Sequence, residues 1–291
     1  MSAEPIATDV QATIAQLWVY PVKSCAGISL TEVELTDTGL LYDRAWMVVD
    51  ADGEFVTQRE LPRMALIQTA FKMGQLVLRA PGMLALHLAL DAAEGPLKVR
   101  VWDDEVQAYD MGDLAAQWFS DFLGQPLRLA RFDPEVRRVC SLKWTGGREA
   151  VTQFADGFSL LVTSTASLDE LNTRLGAAGH GPVEMLRFRP NVVLAGVEAH
   201  DEDRVGAMRI GTGDGASALI EPVKPCGRCP IPNIDPATAT SSPEVNDTLQ
   251  VYRQDPRLNG AITFGMNAIV LEGDGQVLRI GQPVSADWKF D

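Results

Sequence analysis

The sequence predicts an α+β protein, predominantly β, in which a β-barrel-like domain is accompanied by a smaller N-terminal β-rich domain and a few helices. Three observations predict it. Short runs in which apolar and polar residues alternate with period two recur along the chain, the mark of half-buried strands. The 25 Gly and 17 Pro supply the frequent turns such strands need. Only two segments combine a helical spacing of apolar residues with recognisable end signals. At roughly 150 residues per domain, the 291 residues allow two domains, and a chain of 46% hydrophobic and 22% charged residues can bury a sizeable core.

Taken in order, residues up to about Thr8 read as a solvated tail, and residues 14–21 as a strand closing at Pro21. Residues 28–35 alternate with period two. Residues 45–50 and 54–57, joined through Asp52-Gly53, carry a hairpin signal, and residues 75–79 and 97–102 read as further strands. A helix is expected from Asp113 as N-cap through Leu123, ended by Gly124 and Pro126. Residues 133–148, rich in charge, Gly and Pro, mark a boundary. The expected domains are therefore 11–135 and 145–288, with the first strand completing the barrel of the second. In that second part Ser167-Leu-Asp-Glu170 is a capping-box pattern opening a helix to about Leu175. Strands are expected at residues 191–194, 207–210, 218–223, 268–271 and 276–280.

Thirty-nine acidic against 25 basic side chains give a net charge of −14, so a long polyanion would meet repulsion and a nucleic-acid partner is not expected. Any anionic ligand must be held by a local cluster of Lys and Arg. The N-terminal residues lack the basic and apolar regions of an export signal, and no apolar stretch approaches a membrane span. Four cysteines, Cys25, Cys140, Cys226 and Cys229, are too few and too scattered for a disulfide framework. The expected setting is reducing and cytoplasmic, with no membrane partner.

The richest chemistry lies in Lys224-Pro225-Cys226-Gly227-Arg228-Cys229-Pro230. Zinc would need about four ligands, and Cys25, Cys140, His87, His180 and His200 offer no second close pair. A thioredoxin-like pair would open a helix, but Pro230 and Pro232 follow at once. A third reading makes one thiolate a metal ligand or nucleophile, with Arg228 and Lys224 lowering its pKa; a buried structural pair is the fourth. Further positive islands are Lys23-Ser24, Arg44, and Arg187 with Arg189. Guanidinium forks suit phosphate and planar, oxygen-rich ligands, so convergence of Lys23, Arg44 and Arg189 on the cysteines would make an anion pocket beside a thiolate.

Five motifs in order, Tyr20-Pro-Val-Lys-Ser-Cys-Ala-Gly27, Asp43-Arg-Ala-Trp46, Arg187-Phe-Arg-Pro-Asn191, Pro225-Cys-Gly-Arg-Cys229 and Phe264-Gly-Met-Asn267, resemble the MOSC family. The resemblance runs from about Ile14 to Val284 and is to the branch with an N-terminal β-barrel domain, that of the mitochondrial amidoxime-reducing component and its bacterial relatives. It implies a molybdenum cofactor, Mo-molybdopterin, with Cys229 as catalytic metal ligand and Cys226 as runner-up. It implies cofactor contacts from Lys23, Ser24, Arg44, Asp156, Arg189, Asn191, Gly227, Arg228 and Asn267, the last through its backbone. A pyridoxal phosphate site is not expected.

The cysteine spacing of the ferredoxin domain that some bacterial relatives carry is not found in the sequence up to Asp291, and the membrane attachment of the mitochondrial members, which rests on an N-terminal apolar anchor, is not expected to carry over. Electrons are accordingly expected from a separate ferredoxin-, flavodoxin- or flavin-reductase-like protein. The implied reaction reduces a small N-hydroxylated substrate to its N–H form plus water. No acid–base dyad is visible, and proton delivery is left to water or Asp235. A sulfur carrier holding a Cys persulfide and a protein that stores the cofactor without turnover are the competing functions.

Overall fold

The computed structural model describes residues 8–213 and 215–290. The tail expected before Thr8 falls on residues 1–7, outside the described residues. The protein is mostly β and centres on a closed seven-stranded barrel. Its strands, labelled in chain order, are β1 (Val10–Val19), β2 (Leu160–Ser164), β3 (Val192–Ala195), β4 (Met208–Gly213), β5 (Ala216–Gly227), β6 (Ala261–Glu272) and β7 (Pro283–Ala286). Around the barrel β1 pairs with β3, β3 with β2, β2 with β6, β6 with β5, β5 with β4, β4 with β7, and β7 closes back on β1. All these pairings are antiparallel except β2 with β3. The alternation read in the sequence supplies the interior: Ile14, Leu17, Val162, Val192, Ile210, Ile220 and Ala268 are buried in one apolar cluster.

Residues between β1 and β2 form a second unit. A four-stranded antiparallel sheet orders Trp46–Val49, Arg128–Phe132, Asp104–Asp110 and Gly95–Val101. A three-stranded meander, Gln68–Lys72, Gln75–Arg79 and Leu86–Ala89, belongs to the same unit. Between them packs helix α1 (Asp113–Leu123), whose Ala115, Trp118, Phe119 and Phe122 share a core with Trp46, Val48 and Leu129. The opposite sheet face, with Met47, Val49, Val99 and Phe132, packs on Phe154 just before β2. The two units therefore meet along the segments on either side of β1 and β2.

Local details depart from the sequence reading. The N-cap of α1 is Gly112, at φ 89°, and Asp113 is its first helical residue; the Asp110 carboxylate accepts the Gly112 amide instead. Helix α2 (Thr165–Ala177) starts earlier than the capping-box pattern suggests, because Ser164 caps it by accepting from the Ser167 amide. Ser167 and Glu170 serve elsewhere: Ser167 donates to the buried Glu202, and Glu170 pairs with Arg174. The 28–35 run splits into Ile28–Leu30 on the barrel and Glu32–Thr36 in a small separate sheet. The expected hairpin narrows to a single bridge between Val49 and Phe55. A third helix, α3 (Glu244–Tyr252), was not singled out by sequence; it buries Val245 and Leu249 against Leu171 and Leu175 of α2.

Candidate functional site

A cleft of ≈ 130 Å³ opens where the N-terminal unit meets the barrel. Its lining includes every residue singled out for cofactor binding, namely Lys23, Ser24, Arg44, Asp156, Arg189, Asn191, Gly227, Arg228 and Asn267, together with both Cys226 and Cys229. Residues as far apart in the chain as Lys23 and Asn267 are thus brought together.

The barrel wall is made by the end of β5. Two prolines, Pro222 and Pro225, and two register shifts beside them break its regular pairing with β6 and aim the strand end into the cleft. Opposite, Gly265 sits at φ +74° with a position for any Cβ only 2.5 Å from the Val162 carbonyl, so glycine alone lets β6 approach β2 there. Beyond Gly227 the chain makes one 3-10 turn, Ile231–Asn233, rather than a helix, in keeping with Pro230 and Pro232. The Cys229 loop is fastened from α3: Asn246 donates its amide N–H to Asn233 Oδ1 at 3.0 Å and its side chain to the Cys229 carbonyl at 3.2 Å. The unforeseen helix therefore positions the predicted ligand.

Burial raises the Cys226 pKa; Arg228 and Lys224 pull it down, as expected of cations beside a thiol, but not enough to offset burial. The geometry gives the reason. Arg228 spends its guanidinium on backbone carbonyls, Nε to Phe264 O at 3.0 Å and Nη1 to Phe188 O at 3.0 Å. The Lys224 ammonium lies over the rings of Trp144 and Phe158.

The N-terminal wall supplies cations. Lys23 is buried, donating to the Phe154 carbonyl at 2.8 Å and to Asp156. Burial lowers the Lys23 pKa, and the Asp156 charge resists this. The Asp156 side chain itself is 70% exposed in the open cleft. Its surroundings disfavour the charge, yet the Lys23 ammonium, by charge and hydrogen bond, with help from Trp102 and Arg44, holds the carboxyl below its ordinary range. Arg138, absent from the sequence reading, pins this loop by donating to the Gln153, Ala155 and Asp156 carbonyls.

Arg44 and Arg189 both lie against the buried Tyr20 ring, at 4.4 and 4.3 Å from its centre. Arg44 donates to Asp43, to Asn191 Oδ1 at 3.1 Å and to the Arg189 carbonyl at 3.0 Å. Asn191 also accepts from the Leu161 amide and donates to the Trp18 carbonyl, so its side chain knits the wall together. Arg189 donates Nη1 to the Cys25 carbonyl at 2.7 Å, while its Nη2 is buried with no partner. Burial, then the neighbouring Arg44 charge, pull the Arg189 pKa down to about 10, which leaves it protonated at neutral pH.

Ser24, Arg44 and Arg189 all adopt left-handed backbone, with φ of 67°, 50° and 57°. Non-glycine residues held there carry strain of order 1 kcal/mol each, and such strain clusters at functional sites. Thr57 and Arg59 also line the cleft; they belong to no motif, and only the fold reveals them. Asn267 points its amide at the Pro225 carbonyl, 3.5 Å away. Asp235 is tied to Arg187 and to the amides of Ala237 and Thr238, so it is not a free proton donor. Among the described residues no three His, Cys, Asp or Glu side chains group as a metal cage.

The fold is thus that of a two-unit β protein whose cleft, rich in thiols and cations, lies at the junction of the units. Family models match the same two parts: the MOSC N-terminal beta barrel domain over residues 11–126 and the MOSC domain over residues 149–285. The chain is 36% identical over 286 residues to mitochondrial amidoxime-reducing component 1 of Mus musculus, covering 94% of this chain and 81% of the relative. It is 35% identical over 251 residues to mitochondrial amidoxime reducing component 2 of Homo sapiens, covering 83% of this chain and 72% of the relative. Molybdenum cofactor sulfurase of Oryza sativa subsp. japonica is 32% identical over 313 residues, covering 97% of this chain but 36% of that longer protein. The chain belongs to the MOSC family, in the branch that joins a MOSC N-terminal domain to a MOSC domain. No helix among the described residues is long and apolar enough to cross a membrane.

Proposed function

We propose that this protein is a molybdenum-cofactor-dependent reductase of N-hydroxylated substrates, supplied with electrons by a separate ferredoxin-, flavodoxin- or flavin-reductase-like protein in the cytoplasm. The observation that carries the reading is the convergence of Cys226 and Cys229 with Lys23, Arg44, Arg59 and Arg189 on one cleft. This occurs in a chain about 35% identical to amidoxime-reducing components over most of its length. In a protein of net charge −14, such a local excess of cations is a device for holding an anion.

The residues present fit a phosphorylated pterin bearing molybdenum. The donor set joins a soft thiol to cationic forks, and the buried, unpartnered Nη2 of Arg189 calls for an acceptor. Cys229 would hold the metal; Lys23 and Arg189 would meet the phosphate and ring oxygens; Asp156, kept ionised, would accept from ring N–H groups. Ser24 and Gly227 offer backbone, and Arg44, Asn191, Arg228 and Asn267 hold the walls in place. When bound, the group supplies a two-electron centre able to take oxygen from an N–O bond. The overall reaction breaks that bond, consumes two electrons from the donor and two protons from solvent, and releases the N–H compound and water.

The similarity to the cofactor sulfurase favours one second reading, in which Cys226 or Cys229 carries labile sulfur as a persulfide. Protein from a host that makes the cofactor separates the two. Near-stoichiometric molybdenum, lost in Cys229→Ala and kept in Cys226→Ala, with reduction of a simple amidoxime by an artificial donor, supports the reductase. Cyanide-labile sulfur on the cysteines without molybdenum would replace it by the carrier.

A further inference from the structure

Beside the cleft-lining Arg59 and Asp156 stands an indole to which the proposed function gives no contact with substrate. Trp102 occupies the turn between the strands Gly95–Val101 and Asp104–Asp110, at φ 57°. A bulky side chain in left-handed backbone is an outlier that the surrounding structure must enforce, whereas Asn or Gly would occupy such a turn without strain. The residue is also 43% exposed, although tryptophan is the side chain with most to gain from burial.

Its contacts all lead to the cleft. The indole Nε1 donates to Asp156 Oδ1 at 3.4 Å, the same oxygen that accepts from Lys23. The Arg59 guanidinium, itself a cleft-lining group, stacks over the indole at 4.7 Å. Phe55 meets it edge-on at 5.0 Å and also packs under the Lys23 ammonium at 5.3 Å. The orientation of the ring is therefore fixed by hydrogen bond, cation and aromatic edge, while a large part of its surface stays open beside the ion pair.

We infer that Trp102 is a specificity-determining residue: an aromatic platform beside the cleft that selects planar, π-conjugated N-hydroxylated substrates over aliphatic ones. The inference rests on the reductase reading for the identity of the substrate. A pre-oriented aromatic face gains stacking energy with a conjugated ligand at little entropic cost and gains almost nothing with a methyl-sized one. Because the platform belongs to the N-terminal unit and the thiols to the barrel, the two units divide the work between choosing the ligand and reacting with it.

The test compares benzamidoxime with acetamidoxime on the cofactor-loaded protein, by equilibrium titration and by steady-state reduction. Trp102→Ala is expected to weaken benzamidoxime binding and raise its KM about tenfold, to leave acetamidoxime within about twofold, and to spare kcat for both. Trp102→Phe, which keeps a ring, should recover most of the benzamidoxime affinity. Equal losses for both compounds, or no loss for either, would overturn the inference, the former showing that the indole only shields Asp156 and Lys23. If the unaltered protein reduced neither compound, the reductase reading would fall, and the ratio of the two binding constants would still decide the role of Trp102.

Discussion

Cys25 and Cys140 lie sealed in apolar cores, whereas Cys226 and Cys229 lie half-buried along the charged cleft. Burial pushes the Cys25 thiol up to about 12 and the Cys140 thiol up to about 11, which keeps both neutral and inert at physiological pH. Cys25 even belongs to the Tyr20–Gly27 motif that supplies Lys23 and Ser24, yet it lends the site its carbonyl, to Arg189, and keeps its sulfur in the core. The difference teaches that a motif delivers backbone as readily as side chain, and that access to solvent and to the charged cleft separates an accessible thiol from a packing residue.

Alkylation gives the largest contrast. Iodoacetamide at pH 8, read by mass spectrometry on the folded protein, should modify Cys226 and Cys229 at least about a hundredfold faster than Cys25 and Cys140; equal labelling of all four would erase the distinction. Arg189→Lys keeps the charge but cannot both reach the Cys25 carbonyl and fork toward a ligand, so molybdenum occupancy should fall about tenfold with the fold intact by circular dichroism.

Cys25→Ala probes the other side of the comparison. It should cost about 1 kcal/mol in urea unfolding, through a small cavity, and leave metal content unchanged. Its pH dependence follows from the raised thiol. The preference of the fold for neutral Cys25 is fully present below about pH 9 and is lost as pH rises toward 12, so the wild-type protein should lose stability on that limb more steeply than Cys25→Ala, by at most about 1.4 kcal/mol per pH unit. Smallest is the effect on Cys226. Because burial raises its pKa above 9.0, its alkylation rate should go on climbing through pH 9 instead of levelling off.

The barrel was legible because alternation is a local signal: Ile14 and Leu17, or Ile220 and Ala268, declare an inward face within a few residues. The cleft was legible through its motifs, all of which the fold brings together. What sequence left hidden was non-local. Arg59 and Arg138 act through partners that only the second unit brings near, Trp102 for the one and the 153–156 carbonyls for the other. Helix α3 carries β-branched and polar residues whose helical face shows only once α2 packs against it. Lys224 reads as a partner of the thiols by adjacency, but strand pleating and two aromatic rings direct it elsewhere.

The central claim is that Cys229, and not Cys226, is the protein's thiolate to molybdenum. Molybdenum K-edge absorption on wild-type, Cys226→Ala and Cys229→Ser protein tests it directly. The account predicts three sulfur neighbours in the first two proteins, a pterin pair and one cysteine, and one fewer, or no bound metal, in the third. A sulfur shell that shrinks in Cys226→Ala and survives in Cys229→Ser would contradict it.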